Sequence, residues 1–131
     1  MIIIGHPDIP YEPFYYVETI EEIGHTPANA TLWLGPWRET KEIAKHCRAN
    51  RISYAVMALS IEDALLANAL RAAYILADAT LAPRIQKIAE TYLFDAKILL
   101  PVSDEAELVK AAEEGIDGVI FQNAITLPAS S

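Results

Sequence analysis

Residues 53–80 read SYAVMALSIEDALLANALRAAYILADAT, an apolar strand-like run, a helical stretch and a second apolar run. Tyr54 to Ala58 and Tyr74 to Ala77 are continuously apolar rather than alternating, as parallel strands covered on both faces are. Between them Ser60 stands three residues before Asp63. This is the spacing of a capping box, in which hydroxyl and carboxylate each accept from a backbone N–H left free at a helix start. The pattern predicts one helix from Ser60 to Arg71 and hence a β-α-β unit.

The same unit recurs on both sides. Apolar runs begin at Thr31, Ser53, Tyr74, Lys97 and Gly118, at intervals of 22, 21, 23 and 21 residues. Such regularity is what successive strands with crossover helices produce. Pro36 opens a helix over Trp37 to Ala49 that buries Ile43, Ala44 and Cys47. Asp78 or Thr80 caps another, with Pro83 in its first turn, where a missing N–H costs little. That helix turns Leu81, Ile85, Ile88, Ala89 and Tyr92 inward and Arg84, Gln86, Lys87 and Glu90 outward. Ser103 or Asp104 opens a last helix, with Leu108, Val109, Ala111 and Ala112 inward and Gly115 as its left-handed stop.

The first thirty residues differ in kind. Pro7, Pro10 and Pro13 separate Ile2–Ile4 from the aromatic run Phe14–Val17, giving two short strands, at least one at an edge. A helical turn fits Ile20 to Ile23, and the tail from Thr126 to Ser131 is expected to fray.

The chain has 131 residues, 18 acidic and 10 basic, for a net charge of −8. At this length folding buries roughly two-thirds of the unfolded surface, enough for one domain over 1–131. Scattered basic residues among so many acids exclude a phosphate-backbone stripe, so no nucleic-acid partner is expected. No apolar run approaches the roughly 20 residues of a membrane span, and Met1-Ile2-Ile3-Ile4 runs into Gly5-His6-Pro7-Asp8 without a signal-peptide pattern. A single Cys47 forms no internal disulfide, which suits the cytoplasm. The fold expected is thus a single α/β domain with a mainly parallel sheet of about five to seven strands and covering helices. The alternative is a half (βα)8 barrel that dimerises.

In such sheets ligands bind beyond the carboxyl ends of the strands. The candidates there are Arg38, Ser60, Asp78, Thr80, Ser103, Gln122 and Asn123. Ser60, Thr80 and Ser103 put hydroxyls at helix starts, where an anion is favoured, although Ser, Thr and Asp are also the ordinary caps. Asp78 serves as a base only beside a partner such as Arg38. His6 and Asp8 share a loop, but His25 and His46 lie in unrelated segments and no zinc-like spacing occurs, so neither metal nor cofactor is expected. His46 suits a helix C-terminus, and Cys47 suits the core.

The stretch AAEEGIDGVIF, residues 112–121 with Ala111 before them, resembles the late β-α units of phosphate-binding (βα)8 barrels. The resemblance extends from Tyr74 onward and implies ligand binding at the strand ends. Gln122-Asn123 stand where those barrels carry a Gly-Ser or similar phosphate-gripping turn. The whole chain also resembles small bacterial α/β proteins, which implies no activity.

Two functions are expected from these readings. One is a non-catalytic protein acting by self-association or through a protein partner. It rests on the helix after Ser60, apolar nearly all round, and on the aromatic run, with Leu65, Leu66, Leu70, Tyr15 and Tyr16 as interface residues. The other is an enzyme or sensor for a small anionic metabolite, phosphorylated or not, at the strand ends.

Overall fold

The computed structural model describes residues 1–126. Its strands are β1 (Ile2–Ile4), β2 (Phe14–Tyr16), β3 (Thr31–Pro36), β4 (Tyr54–Met57), β5 (Tyr74–Leu76), β6 (Lys97–Val102), β7 (Gly118–Phe121) and β8 (Ile125–Thr126). Four helices pack outside them: α1 (Lys41–Ala49), α2 (Ile61–Ala69), α3 (Ala82–Tyr92) and α4 (Ala106–Glu113). The sheet order is β1-β7-β6-β5-β4-β3-β2-β8, and every pairing is parallel. The two-residue β8 carries the strand number one past the expected range. The expected frayed tail, apart from Thr126 in β8, lies outside the described residues.

The two ends of this order are neighbours in the chain. β7 ends at Phe121 and β8 begins at Ile125, so the ladder that runs from β7 through β6, β5, β4, β3 and β2 arrives at the continuation of its first strand. The sheet is curled. Ile4, Phe14, Ala55, Leu76, Leu99, Ile120 and Ala124 form one buried cluster on its inner face, joined by Trp33, Met57 and Tyr74. The rings of Phe14 and Tyr74 lie 5.1 Å apart although β2 and β5 are not adjacent strands, a contact across the interior worth about 0.5–1.5 kcal/mol. With four helices outside, this is the half-barrel of the sequence reading. Its inner face is filled by the chain's own side chains.

Strand periodicity sorts the remaining residues. On β4, Ala55 and Met57 point inward while Tyr54 and Val56 pack under the helices; on β6, Leu99 is inward and Ile98, Leu100 and Val102 are outward. At Gly118 a side chain is impossible without movement, since a Cβ would stand 2.4 Å from the Ile2 carbonyl oxygen. That close approach lets β1 pair with β7 in the register Ile2 to Gly118.

The helix starts follow the sequence with adjustments. Ser60 Oγ accepts from the Asp63 N–H at 3.1 Å, and Asp63 Oδ2 accepts from the N–H of Leu59, one residue earlier than an ideal box. Asp78 rather than Thr80 supports the turn into α3, accepting from the N–H groups of Thr80 and Leu81. The stretch from Trp37 divides into a 3-10 turn (Trp37–Glu39) and α1, with the Thr40 hydroxyl donating to the Pro36 carbonyl at the junction.

All four helices end with an N–H beyond the last turn bonded to the carbonyl five residues back: Ile52 to Cys47, Ala72 to Ala67, Phe94 to Ala89 and Ile116 to Ala111. The left-handed residues that make this possible are Arg51, Arg71, Leu93 and Gly115. The sequence announces only the glycine. For a side chain with a Cβ this conformation costs about 1–2 kcal/mol, so three of the four stops hold strained residues. Arg71 therefore lies outside α2, not within it.

Four positions on α3 and α4 differ from the sequence reading. Tyr92 and Val109, expected inward, are 71% and 63% exposed, and Ala112 is also exposed. Gln86, expected outward, is 4% exposed. Its amide donates to Asp117 Oδ1 and accepts from the Asp117 N–H, while Asp117 Oδ2 accepts from the N–H of Ile98. α3 is rolled to place this amide where backbone groups at the sheet margin need partners.

Candidate functional site

Parallel pairing places the carboxyl ends of all strands on one side of the sheet, and a pit of about 190 Å³ opens there. Trp33, Met57, Leu76 and Ile120 form its apolar floor, and Ser103 and Gln122 stand on its wall. Of the seven residues singled out from sequence, only these two reach the pit.

The other five are held elsewhere. Arg38 Nε donates to Asp63 Oδ1 at 3.1 Å, and its Nη2 lies 3.4 Å from Ser60 Oγ. Asp63 is buried, and burial by itself raises the pKa of a carboxyl. The Leu59 N–H, the Arg38 guanidinium and the Ser60 hydroxyl outweigh that effect and hold it below the usual carboxylate range. Arg38 is thus engaged by Asp63 and not by Asp78, whose Oδ1 is occupied within its own turn. Thr80 is exposed beside it. The amide of Asn123 donates to the Gly5 carbonyl at 3.0 Å and approaches Tyr11 Oη at 3.4 Å, tying the residues after β7 to those after β1.

His6 lies beside Phe121, a residue of the pit. Its Nδ1 accepts from the Asp8 N–H, so the ring proton belongs on Nε2, which lies 2.5 Å from Glu105 Oε1 and donates to it. The ring packs edge-on against Phe121. His6 and Asp8 are therefore joined through ring and backbone, not as two ligands facing one point. Among the described residues no three His, Cys, Asp or Glu side chains group as metal ligands. The chain matches no known family model and no curated protein.

Chemically the pit offers an apolar floor, one hydroxyl and one amide. Sequence reasoning missed the contacts of His6 with Glu105 and of Gln86 with Asp117, which join positions far apart in the chain. It also did not foresee Asp63 as the partner of Arg38. The signal for Asp63 was present in the capping box, but only folding brings the 3-10 turn after β3 against the start of α2.

Of the interface candidates, Leu65 and Leu66 are 43% and 52% exposed and Leu70 is half-buried. Tyr15 is half-buried against the outer core, and the Tyr16 hydroxyl donates to Glu18 at 2.8 Å. That bond, together with burial, raises the Tyr16 pKa. Among the described residues no helix is long and apolar enough to cross a membrane.

Proposed function

We propose that the protein is a non-catalytic component that acts by self-association through the outward face of α2. The observation carrying this reading is the pair Leu65-Leu66, exposed side by side on a helix whose opposite face buries Asp63, Ala64 and Ala67. Beside them runs a groove of about 320 Å³ formed by Trp37, Leu66, Ala69 and Leu70, with Lys41 and Lys45 along its rim. The indole N–H of Trp37 is buried with no acceptor among the described residues.

A second copy fits this surface in charge as well as in polarity. Its α2 brings two leucines to an apolar groove and the exposed Glu62 to a lysine rim, in an arrangement that a two-fold axis satisfies on both sides at once. Tyr15 packs against the outer core and the Tyr16 hydroxyl is bound to Glu18, so they add little. The strand-end alternative, an enzyme or sensor for an anionic metabolite, has weaker support because Arg38 is already paired with Asp63.

Light scattering on the eluting protein at micromolar concentration tests the proposal. The native chain is expected to run as a dimer and Leu66→Glu as a folded monomer, with unchanged circular dichroism. A native monomer under those conditions refutes it.

A further inference from the structure

The larger hollow lies at the opposite end of the sheet, where β4 and β5 begin. It measures about 750 Å³ and is lined by Arg48, Arg51 and Arg71, with Ile52, Ser53 and Ala73 between them. No lining residue is acidic, and none of the three arginines forms an ion pair among the described residues. In a chain with 10 basic residues and net charge −8, this is a local reversal of sign.

The topology explains how it arises. Arg48 and Arg51 come from the end of α1 and the turn into β4, and Arg71 from the turn into β5; pairing of β4 with β5 brings the two turns together. A favourable helix dipole accounts for a cation in the last turn of α1, hence for Arg48. It does not account for Arg51 and Arg71. Both occupy left-handed positions, with φ of 56° and 69°, where glycine is the unstrained choice. Two separate helix stops thus carry a guanidinium in place of the favoured residue, and both stops border the same hollow.

We infer that the hollow framed by Arg48, Arg51 and Arg71 binds a phosphoryl oxyanion, as a small phosphorylated or pyrophosphorylated metabolite. Planar guanidinium groups offer paired N–H donors that match such oxygens, and the volume admits an organic portion beyond the phosphates. Cys47, at the base, takes no chemical part: it is fully buried, and burial pushes its thiol pKa up to about 11. The inference is independent of self-association, which uses α2, whereas no residue of α2 lines the hollow.

The test is calorimetric titration of the full chain with inorganic pyrophosphate and, separately, with a nucleoside diphosphate, at low salt. The decisive variant is Arg51→Gly/Arg71→Gly, which removes both charges while relieving both left-handed positions, so the fold survives. Native protein is expected to bind at least one probe with salt-sensitive affinity, and the variant to lose about tenfold or more. Tighter binding of the nucleoside diphosphate than of pyrophosphate supports an organic ligand, and equal binding supports a free polyphosphate. Absence of binding to both probes, or undiminished binding by the well-folded variant, overturns the inference.

Discussion

Replacing Asp63 tests whether the start of α2 is held by its buried carboxylate or by the visible ion pair with Arg38. The side chain of Asp63 is 5% exposed and that of Arg38 is 62% exposed. An ion pair with so open a partner contributes at most about 1 kcal/mol. The hydrogen bond from the Leu59 N–H to the ionised carboxylate contributes about 1.5–3 kcal/mol, and a negative charge in the first turn of a helix about 0.3–1 kcal/mol. Asp63→Ala is therefore expected to cost about 2–4 kcal/mol near neutral pH, and Arg38→Ala no more than about 1 kcal/mol. Asp63→Asn falls between them, because its amide oxygen can still accept from Leu59.

Urea unfolding followed by circular dichroism reads these differences directly; in a thermal scan each kcal/mol corresponds to about 4 °C for a domain of this size. The pH dependence supplies a second readout. A carboxyl whose folded pKa lies below its unfolded value stabilises fully above that unfolded value, about 3.9, and the contribution is lost as pH falls through the folded pKa. The gap between the native chain and Asp63→Asn should then be constant above about pH 5 and shrink in more acidic solution. The reasoning fails if Asp63→Ala lies within about 0.5 kcal/mol of the native chain, or if Arg38→Ala costs as much as Asp63→Ala.

Two further outcomes are expected. Leu93 is 84% exposed and left-handed at φ 54°, so Leu93→Gly loses no packing and should raise stability by about 0.5–1 kcal/mol in thermal unfolding. Gly118→Ala drives a Cβ against the Ile2 carbonyl and should detach β1, seen as faster amide hydrogen exchange at Ile3 and Ile4 than in the native chain.

Much of the architecture was legible in local signals. The intervals between apolar runs, the continuous apolarity of Tyr54–Ala58 and Tyr74–Ala77, the capping box at Ser60 and the place of Pro83 in the first turn of α3 depend on neighbours within a few residues. Each of them survives in the folded chain. The site was far less legible. Ser103 and Gln122 meet at the pit, but Arg38 turns to Asp63, and Asp78 is used within its own turn. Gln86 looks like a solvent residue on a helical wheel until Asp117, far along the chain, presents a carboxylate and an N–H that its amide binds.

By itself, then, the sequence determined an acidic chain of repeated strand–helix units with parallel strands, because periodicity and capping are set by hydrogen bonds and side-chain spacing within one or two turns. The tertiary structure alone decided the curl of the sheet, the roll of α3 and the meeting of Arg48, Arg51 and Arg71. These depend on which strands pair, on how closely a backbone can pass Gly118, and on contacts between residues tens of positions apart. No local propensity encodes such contacts, and only the closing of the whole core selects them.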